Sequence, residues 1–362
     1  MLERFKVPAE DEVRVPEQSL RSTVAAIFEK MGVPHQGAVE GADVLVMTDL
    51  RGVETHGVSN MLRSYVQAYK ESRLNPRPQW TILRESPATA TIDADGGLGI
   101  ILGGPAMQLA IKKARNTGVG VVTMYNSGHM GAVGHFAMMA AKENMVGICM
   151  TALSIRVAPT FASEAIFGTN PIAIAGPTKS EPPFLFDAAT STIAENKIGL
   201  AARVGASLLP AWVSDSQGRP VLEEIPAPNR GEYHLLPLGG TREQGSHKGY
   251  GLAMMVEVLS TFLAGTLPQV LHPVSRARSH FAAYDIAAFT DVDTFKENLD
   301  SMLKTLRTTK PAEGHERVLY PGLPEYEAEQ ERRANGIPLH KEVIHWFDDI
   351  TAELSLPRLK TM

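Results

Sequence analysis

Two histidines lie in segments suited to chemistry more than to packing. Asp49-Leu50-Arg51-Gly52-Val53-Glu54-Thr55-His56-Gly57-Val58 surrounds the first, and Asn126-Ser127-Gly128-His129 leads to the second. Glycine and small polar neighbours are a poor setting for a packed core imidazole and a good one for a site loop. An imidazole there titrates near neutral pH and can exchange a proton with a carbinol or a carbonyl.

Other segments offer anion contacts. Gly168-Thr169-Asn170-Pro171 joins small residues to a strand, so its backbone amides can approach a phosphate. Phe184 to Asp187 drives a strand into Ala188-Ala189-Thr190-Ser191-Thr192, whose hydroxyls suit a phosphate or ribose, or the cap of a following helix. Ser246-His247-Lys248-Gly249 sets a lysine in a small-residue turn ahead of an apolar helix. The glycine-dense Gly96 to Gly104 turn contains Gly-x-Gly but lacks the third glycine of a Rossmann fingerprint. A dinucleotide bound by this chain therefore requires another geometry. His129 and His135 are off the spacing that places two ligands on one helical face, and there is no cysteine cluster or His-Glu-x-x-His, so no metal site is expected. His135 reads as a satisfied helix residue. No Gly-x-Ser-x-Gly elbow supports a serine hydrolase.

The elements that position these residues follow from periodicity. Val24, Ile27, Phe28 and Met31 predict a first helix that ends at Gly32. Val39, Ala42, Leu45 and Val46 predict a second, from Gln36 to about Leu50, and a third runs from Val58 through Tyr69. His56 thus falls in a bend between two helices. Beyond Pro76, the alternation Ala88 to Ala94 predicts a strand, Pro105 to Asn116 a helix with proline in its first turn, and Gly118 to Met124 a strand leading to His129. Helix 132–144 and strands 146–152 and 171–175 continue the alternation, which implies an α/β core with a mixed or parallel sheet. Gly249 to Leu267 predicts a long, well-buried helix over one sheet face. Past Pro268 the chain reads as helical, with Phe295, Leu299, Met302 and Leu303 facing inward and two further helices, 325–335 and 341–354. The expected organisation is a central α/β unit, 76–269, and a mostly helical substrate and dimerisation part made of 15–75 plus 270–362.

Composition narrows the class. The 362 residues allow about two domains. A net charge of −5 argues against a nucleic-acid or anionic-membrane binder. Cys149 is the only cysteine and lies in an apolar strand, so an internal disulfide is excluded and an inert, packed thiol is expected. The charged Met1 to Lys6 segment reads as no signal peptide, and Glu257 interrupts the nearest apolar run, so a cytoplasmic enzyme is the expectation.

In order, these segments resemble the malate/L-lactate dehydrogenase family of NAD(P)-dependent oxidoreductases, which is separate from the Rossmann-type enzymes. The resemblance rests on Asp49 to Val58, Asn126 to Gly131, Phe167 to Pro171, Asp187 to Ser191, Lys248 to Leu252 and Pro321 to Glu325, collinear over about residues 20 to 350. It implies a homodimer with a non-Rossmann α/β nucleotide-binding domain flanked by a helical one. It also implies hydride transfer between NAD or NADP and C2 of a small 2-hydroxy or 2-oxo acid. By position, His56 and His129 share the acid/base and substrate-binding roles, with either in the lead, and Arg51 and Thr55 would bind the substrate. The cofactor would contact Ser127, Gly168, Thr169, Asn170, Asp187, Ala188, Ala189, Thr190, Ser191, His247, Lys248, Gly322, Pro324 and Glu325. The glycine-rich 96–104 turn becomes structural.

Departures from the pattern bear on the substrate. Asn60 stands where many members carry an arginine, which leaves Arg63 or Arg156 to pair with a carboxylate. Met130 replaces the common aromatic after the second histidine, and His247 the one before the lysine. Related reductases of a cyclic imine acid or a diketo sugar acid, and ureidoglycolate dehydrogenase, are alternatives on the same fold. A catalytically degenerate cofactor-binding protein is the alternative of another class.

Overall fold

Apolar residues at helical spacing draw the N-terminal helices together. In this computed structural model, which describes residues 3–362, strand β1 (Glu12–Val15) is followed by α1 (Glu17–Lys30), α2 (His35–Leu50) and α3 (Val58–Lys70). Leu20, Val24, Ile27 and Phe28 of α1 are fully buried, and α2 packs against that stripe. The turn between α2 and α3 carries His56.

The chain then enters its sheet through β2 (Thr81–Glu85), β3 (Thr89–Asp93), α4 (Gly99–Thr117), β4 (Val119–Ser127), α5 (Gly134–Lys142), β5 (Met145–Ala152), β6 (Ile172–Gly176) and β7 (Phe184–Ala188). Helix α6 (Asn196–Val204) and a two-stranded sheet of β8 (Val213–Asp215) and β9 (Tyr233–Leu235) form an outlying lobe. Next come α7 (Ser246–Val256), a π-helical stretch at Glu257–Phe262, β10 (Ala277–Asp285), α8 (Val292–Thr308), α9 (Leu323–Asn335), β11 (Ile337–His340) and α10 (Lys341–Glu353).

The large sheet is mixed, in the order β2-β3-β4-β10-β5-β6-β7, with β3 and β4 parallel and the other pairs antiparallel. Successive β5 residues face opposite sides. Gly147 and Cys149 point into the main core with α4 and α5, whereas Ile148, Met150 and Ala152 meet Val256 and Leu259 of α7 and its π-helical continuation. Burial pushes the Cys149 thiol well above its ordinary range, which fits a packing role. The two ends of the chain meet where β1 pairs antiparallel with β11, so the helical flank is built from both termini.

Several expectations need correction. Helix α4 starts at Gly99, so Pro105 lies inside it and not in its first turn. The missing N–H costs one helix bond, outweighed by the burial of Leu102, Ala106, Met107 and Ala110. Residues 277–285 are not helical: β10 is a central strand, registered to β4 on one side and β5 on the other. Arg278, Ser279 and His280 obscured its pattern, because these polar residues are buried there. The expected helix over 249–267 divides at Glu257 and is not well buried: Leu252, Met255, Val258, Phe262 and Leu263 face solvent. Met302 is exposed, and Leu303 beside it fills the core.

Candidate active site

The His56 turn is set from below by Asp49. Its Oδ2 accepts the Val58 N–H at 2.7 Å, which caps the first turn of α3. Gly57 lies directly over this carboxyl; a Cβ there would come within 1.9 Å of Oδ1, so only glycine fits. Asp49 is fully buried, and burial pushes its carboxyl up to about 8. At neutral pH it is a neutral acid, with unpaired Oδ1 as the natural place for the proton. From the other side, Asn196 at the start of α6 donates to the Thr55 carbonyl at 2.8 Å, and Thr55 Oγ1 lies 2.9 Å from His56 Nδ1.

His129 is held by backbone. The Gly128 N–H donates to the Gly97 carbonyl at 2.7 Å, and the Ile100 N–H to the His129 carbonyl at 3.2 Å. Gly99 makes this approach possible, since a Cβ there would lie 2.5 Å from the Gly128 oxygen. The glycine-rich turn is therefore a scaffold for the second histidine. His129 Nδ1 accepts the Gly131 N–H at 3.1 Å and lies 2.7 Å from the Tyr65 hydroxyl. A backbone N–H only donates, so Nδ1 is unprotonated and a neutral His129 carries its proton on Nε2. The two imidazoles stand nearly parallel, with centroids 5.7 Å apart. Each is half-buried, keeping an edge at a cavity. Burial pushes His56 down to about 4; burial and then the neighbouring His56 push His129 down to about 3. Both rings are neutral at neutral pH. Neither Nε2 has a partner among the described residues.

The shared cavity measures about 190 Å³ and is lined also by Ser154, Thr169, Asn170, Glu195 and Asn196. A larger cleft of about 490 Å³ adjoins it across the Gly131 to Gly134 segment. Arg51, His135, Asp187, Gly322, Glu325 and Tyr326 line that cleft, with Met47, Met138, Leu185 and Phe186 as its apolar wall. Asp187 Oδ2 accepts the Gly134 N–H at 2.7 Å; the cleft walls raise its carboxyl, although it stays open to water. Arg51 pairs with Glu329 at 3.0 Å and leaves Nη2 buried with no acceptor among the described residues. A cleft with apolar walls and a buried, unpaired guanidinium nitrogen, beside a polar cavity, fits a nicotinamide dinucleotide.

The predicted residues divide among these places. Arg51, Asp187, Gly322 and Glu325 line the cleft, and His56, His129, Thr169 and Asn170 the smaller cavity. Thr190 donates through N–H and hydroxyl to the Thr169 carbonyl, and Ser191 Oγ to the Ile193 carbonyl, so these groups are spent inside the chain. Gly168 backs onto the Leu153 carbonyl, Ser127 is buried on β4, Ala188 ends β7 with Ala189 after it, and Pro324 opens α9. His247 meets Arg242 at 3.0 Å, Lys248 is exposed, and neither lines the cleft or the histidine cavity. Arg156 is paired with Glu195 at 2.6 Å in a neighbouring hollow; Glu195 borders both spaces. Arg63 is half exposed on α3, bonded to Glu342 at 2.6 Å and stacked over Trp346, and it lines neither the cleft nor the smaller cavity. Asn60 bridges the Glu54 carbonyl and Arg203 instead of facing the cavity. The sequence also hid Tyr65, which reads as one more apolar position of α3, and Ser154 and Asn196, which carry no local signal.

Two imidazoles thus share one cavity beside a larger cleft, in a chain without a Rossmann fingerprint. Residues 15–347 match the family model described as malate/L-lactate dehydrogenase. The chain belongs to that family of hydroxy-acid dehydrogenases. It is 39% identical to the malate dehydrogenase of Pyrococcus horikoshii, over 97% of this chain and 98% of that one. The solved structure of that enzyme superposes with a TM-score of 0.88, covering 98% of this chain and 99% of that one. The L-sulfolactate dehydrogenase of Methanocaldococcus jannaschii is 36% identical, over 93% of this chain and 96% of its own. The structure of a δ1-piperideine-2-carboxylate reductase from Pseudomonas syringae aligns with a TM-score of 0.79 at 26% identity, covering 93% of this chain and 99% of that one.

Proposed function

We propose that this enzyme interconverts a small 2-hydroxy acid and its 2-oxo acid, with His56 as the acid/base and His129 as a hydrogen-bond donor to substrate. The observation that carries the assignment is the Gly131 N–H on His129 Nδ1. That bond leaves His129 a fixed Nε2–H, which suits binding a carbonyl or carboxylate oxygen and not removing a proton. His56 has only a hydroxyl on Nδ1, and Thr55 can accept or donate, so the ring can present a basic Nε2 and take the carbinol proton. A nicotinamide held beside this cavity would supply the hydride chemistry at C2. Arg51, Asp187, Gly322 and Glu325 would hold the cofactor along the cleft, with Thr169 and Asn170 near its reactive end. Arg156, across Glu195, is the cation best placed to draw a substrate carboxylate.

The outward apolar face of α7 and its π-helical continuation supports a homodimer, since contiguous exposed patches mark association surfaces. Phe262→Glu should then yield monomers by sedimentation. No helix among the described residues is long and apolar enough to cross a membrane, which is compatible with a cytoplasmic enzyme.

The test is to follow the absorbance of NADH or NADPH with a panel of acids: oxaloacetate, pyruvate, sulfopyruvate, 2-oxoglutarate, diketogulonate and piperideine-2-carboxylate. Oxidation with a 2-oxo acid supports the reading and names the cofactor. Turnover of the cyclic imine alone would replace it with imine reduction. Absence of cofactor binding would refute it.

A further inference from the structure

Helix α9 touches both halves of the site. Gly322, Glu325, Tyr326 and Glu329, at its start and along one face, line the large cleft. Its other face supports the turn that carries His56. Arg332 Nη1 donates to the Asp49 carbonyl at 2.6 Å and Nη2 to Glu54 Oε1 at 2.5 Å. Glu54 is two residues before His56 and is almost fully buried, and its own carbonyl accepts the Asn60 amide at 2.6 Å. Gly52 packs against Ala328 and Arg332, and Arg51 pairs with Glu329 one turn earlier on the same helix. The turn is thus fastened to α9 at both ends, and Arg332 is the only described residue that bridges Asp49 and Glu54.

We propose that Arg332 is a positioning residue: its fork ties the 49–54 backbone and the Glu54 carboxylate to α9 and so sets the His56 ring relative to the cleft lined by that same helix. It touches neither cavity, so it acts on the reaction through the turn that carries His56. The inference rests on the acid/base reading of His56 given above. Fork geometry is what the contact needs, because one ammonium cannot serve two acceptors in the directions that a planar guanidinium reaches.

The test compares Arg332→Lys with the double variant Arg332→Met/Glu54→Gln in the full-length enzyme. The double variant removes both buried charges together and leaves none uncompensated, so it folds even if the lysine variant does not. The expected result is a kcat lower by about tenfold or more, with the KM for cofactor within about twofold of wild type, since small misplacements of a reacting group cost up to about 10²-fold. A purely structural role would lower the melting temperature or the folded fraction and leave kcat per folded site unchanged. The second readout needs no turnover: imidazole NMR signals of His56 should move in both variants, and by more than those of His129, whose ring is held by backbone. A kcat within about twofold of wild type in a folded variant overturns the proposal. If the wild-type enzyme turns over no acid on the panel, unmoved His56 signals overturn the positioning role. Moved signals then uphold it and leave the failure with the acid/base reading.

Discussion

The two histidine segments face one cavity but are held by opposite means. His129 is clamped by main-chain bonds among Gly97, Gly128, Ile100 and Gly131, and its tautomer follows from them. His56 rides a turn whose supports are side chains from other elements: Asp49, Asn196 and Arg332. Backbone contacts permit one arrangement of ring and proton. Side-chain contacts leave the ring's proton free to move. A site that must both orient an oxygen and transfer a proton benefits from one imidazole of each kind.

Removing the mobile partner should have the largest effect. His56→Ala is expected to lower kcat by about 10²–10⁴-fold while the cofactor still binds, as loss of a positioned general base does. His129→Gln, which keeps a side-chain N–H donor, should lose less than His56→Gln. The reverse order in steady-state kinetics would exchange the two roles.

The backbone clamp is tested next by Gly99→Ala. The added Cβ has backbone oxygens at 2.5 Å and 2.7 Å, which cannot swing aside as a side chain could. A loss of about 1–3 kcal/mol in denaturant unfolding is expected from overpacking, with a fall in kcat as His129 moves. Wild-type stability and rate would mean that the glycine-rich turn does not set His129.

The side-chain support of His56 carries a pH signature. The Asp49 pKa rises from 3.8 to about 8 on folding, so between those values the folded chain keeps a proton that the unfolded chain has lost. Its contribution to stability therefore falls as pH rises through that window. His56 and His129 work in the other direction. Their pKa values fall below 6.5, so stability is full above 6.5 and is lost as pH drops toward about 4. Asp49→Asn keeps an acceptor for the Val58 N–H and removes the titration. Its stability relative to wild type should improve by about 1 kcal/mol or more between acidic and mildly alkaline pH. A constant difference across pH would show that Asp49 is ionised in the folded enzyme.

The smallest expected effect is at Arg63. Its guanidinium is half exposed and bonded to Glu342, so Arg63→Ala should leave the KM for acid unchanged and change stability by about 0–1 kcal/mol. Arg156→Ala should raise that KM instead.

Local sequence determined much of this protein. Periodicity sufficed for α1 to α3, α5 and the sheet strands β3 to β7, because burial of one face imposes a spacing that the chain displays directly. Short motifs located both histidines, Asp187 and the Gly322 turn, because glycine and small polar residues mark places where backbone must come close. What the sequence did not display depends on contacts between distant segments. β10 reads as polar, yet Arg278, Ser279 and His280 are buried in mid-sheet, where Ser279 meets Thr151 and Arg278 donates to the Arg276 carbonyl. Arg63 and Arg156 both look ready for a carboxylate; the fold binds one to Glu342 outside and the other to Glu195 beside the cavity. Tyr65 reaches His129, and Asn196 and Arg332 reach the turn that carries His56, from helices far away in sequence. A sequence records which side chains are present and how each segment would bury itself. Which donor meets which acceptor across elements, and hence which imidazole can take a proton, is decided only when those elements pack.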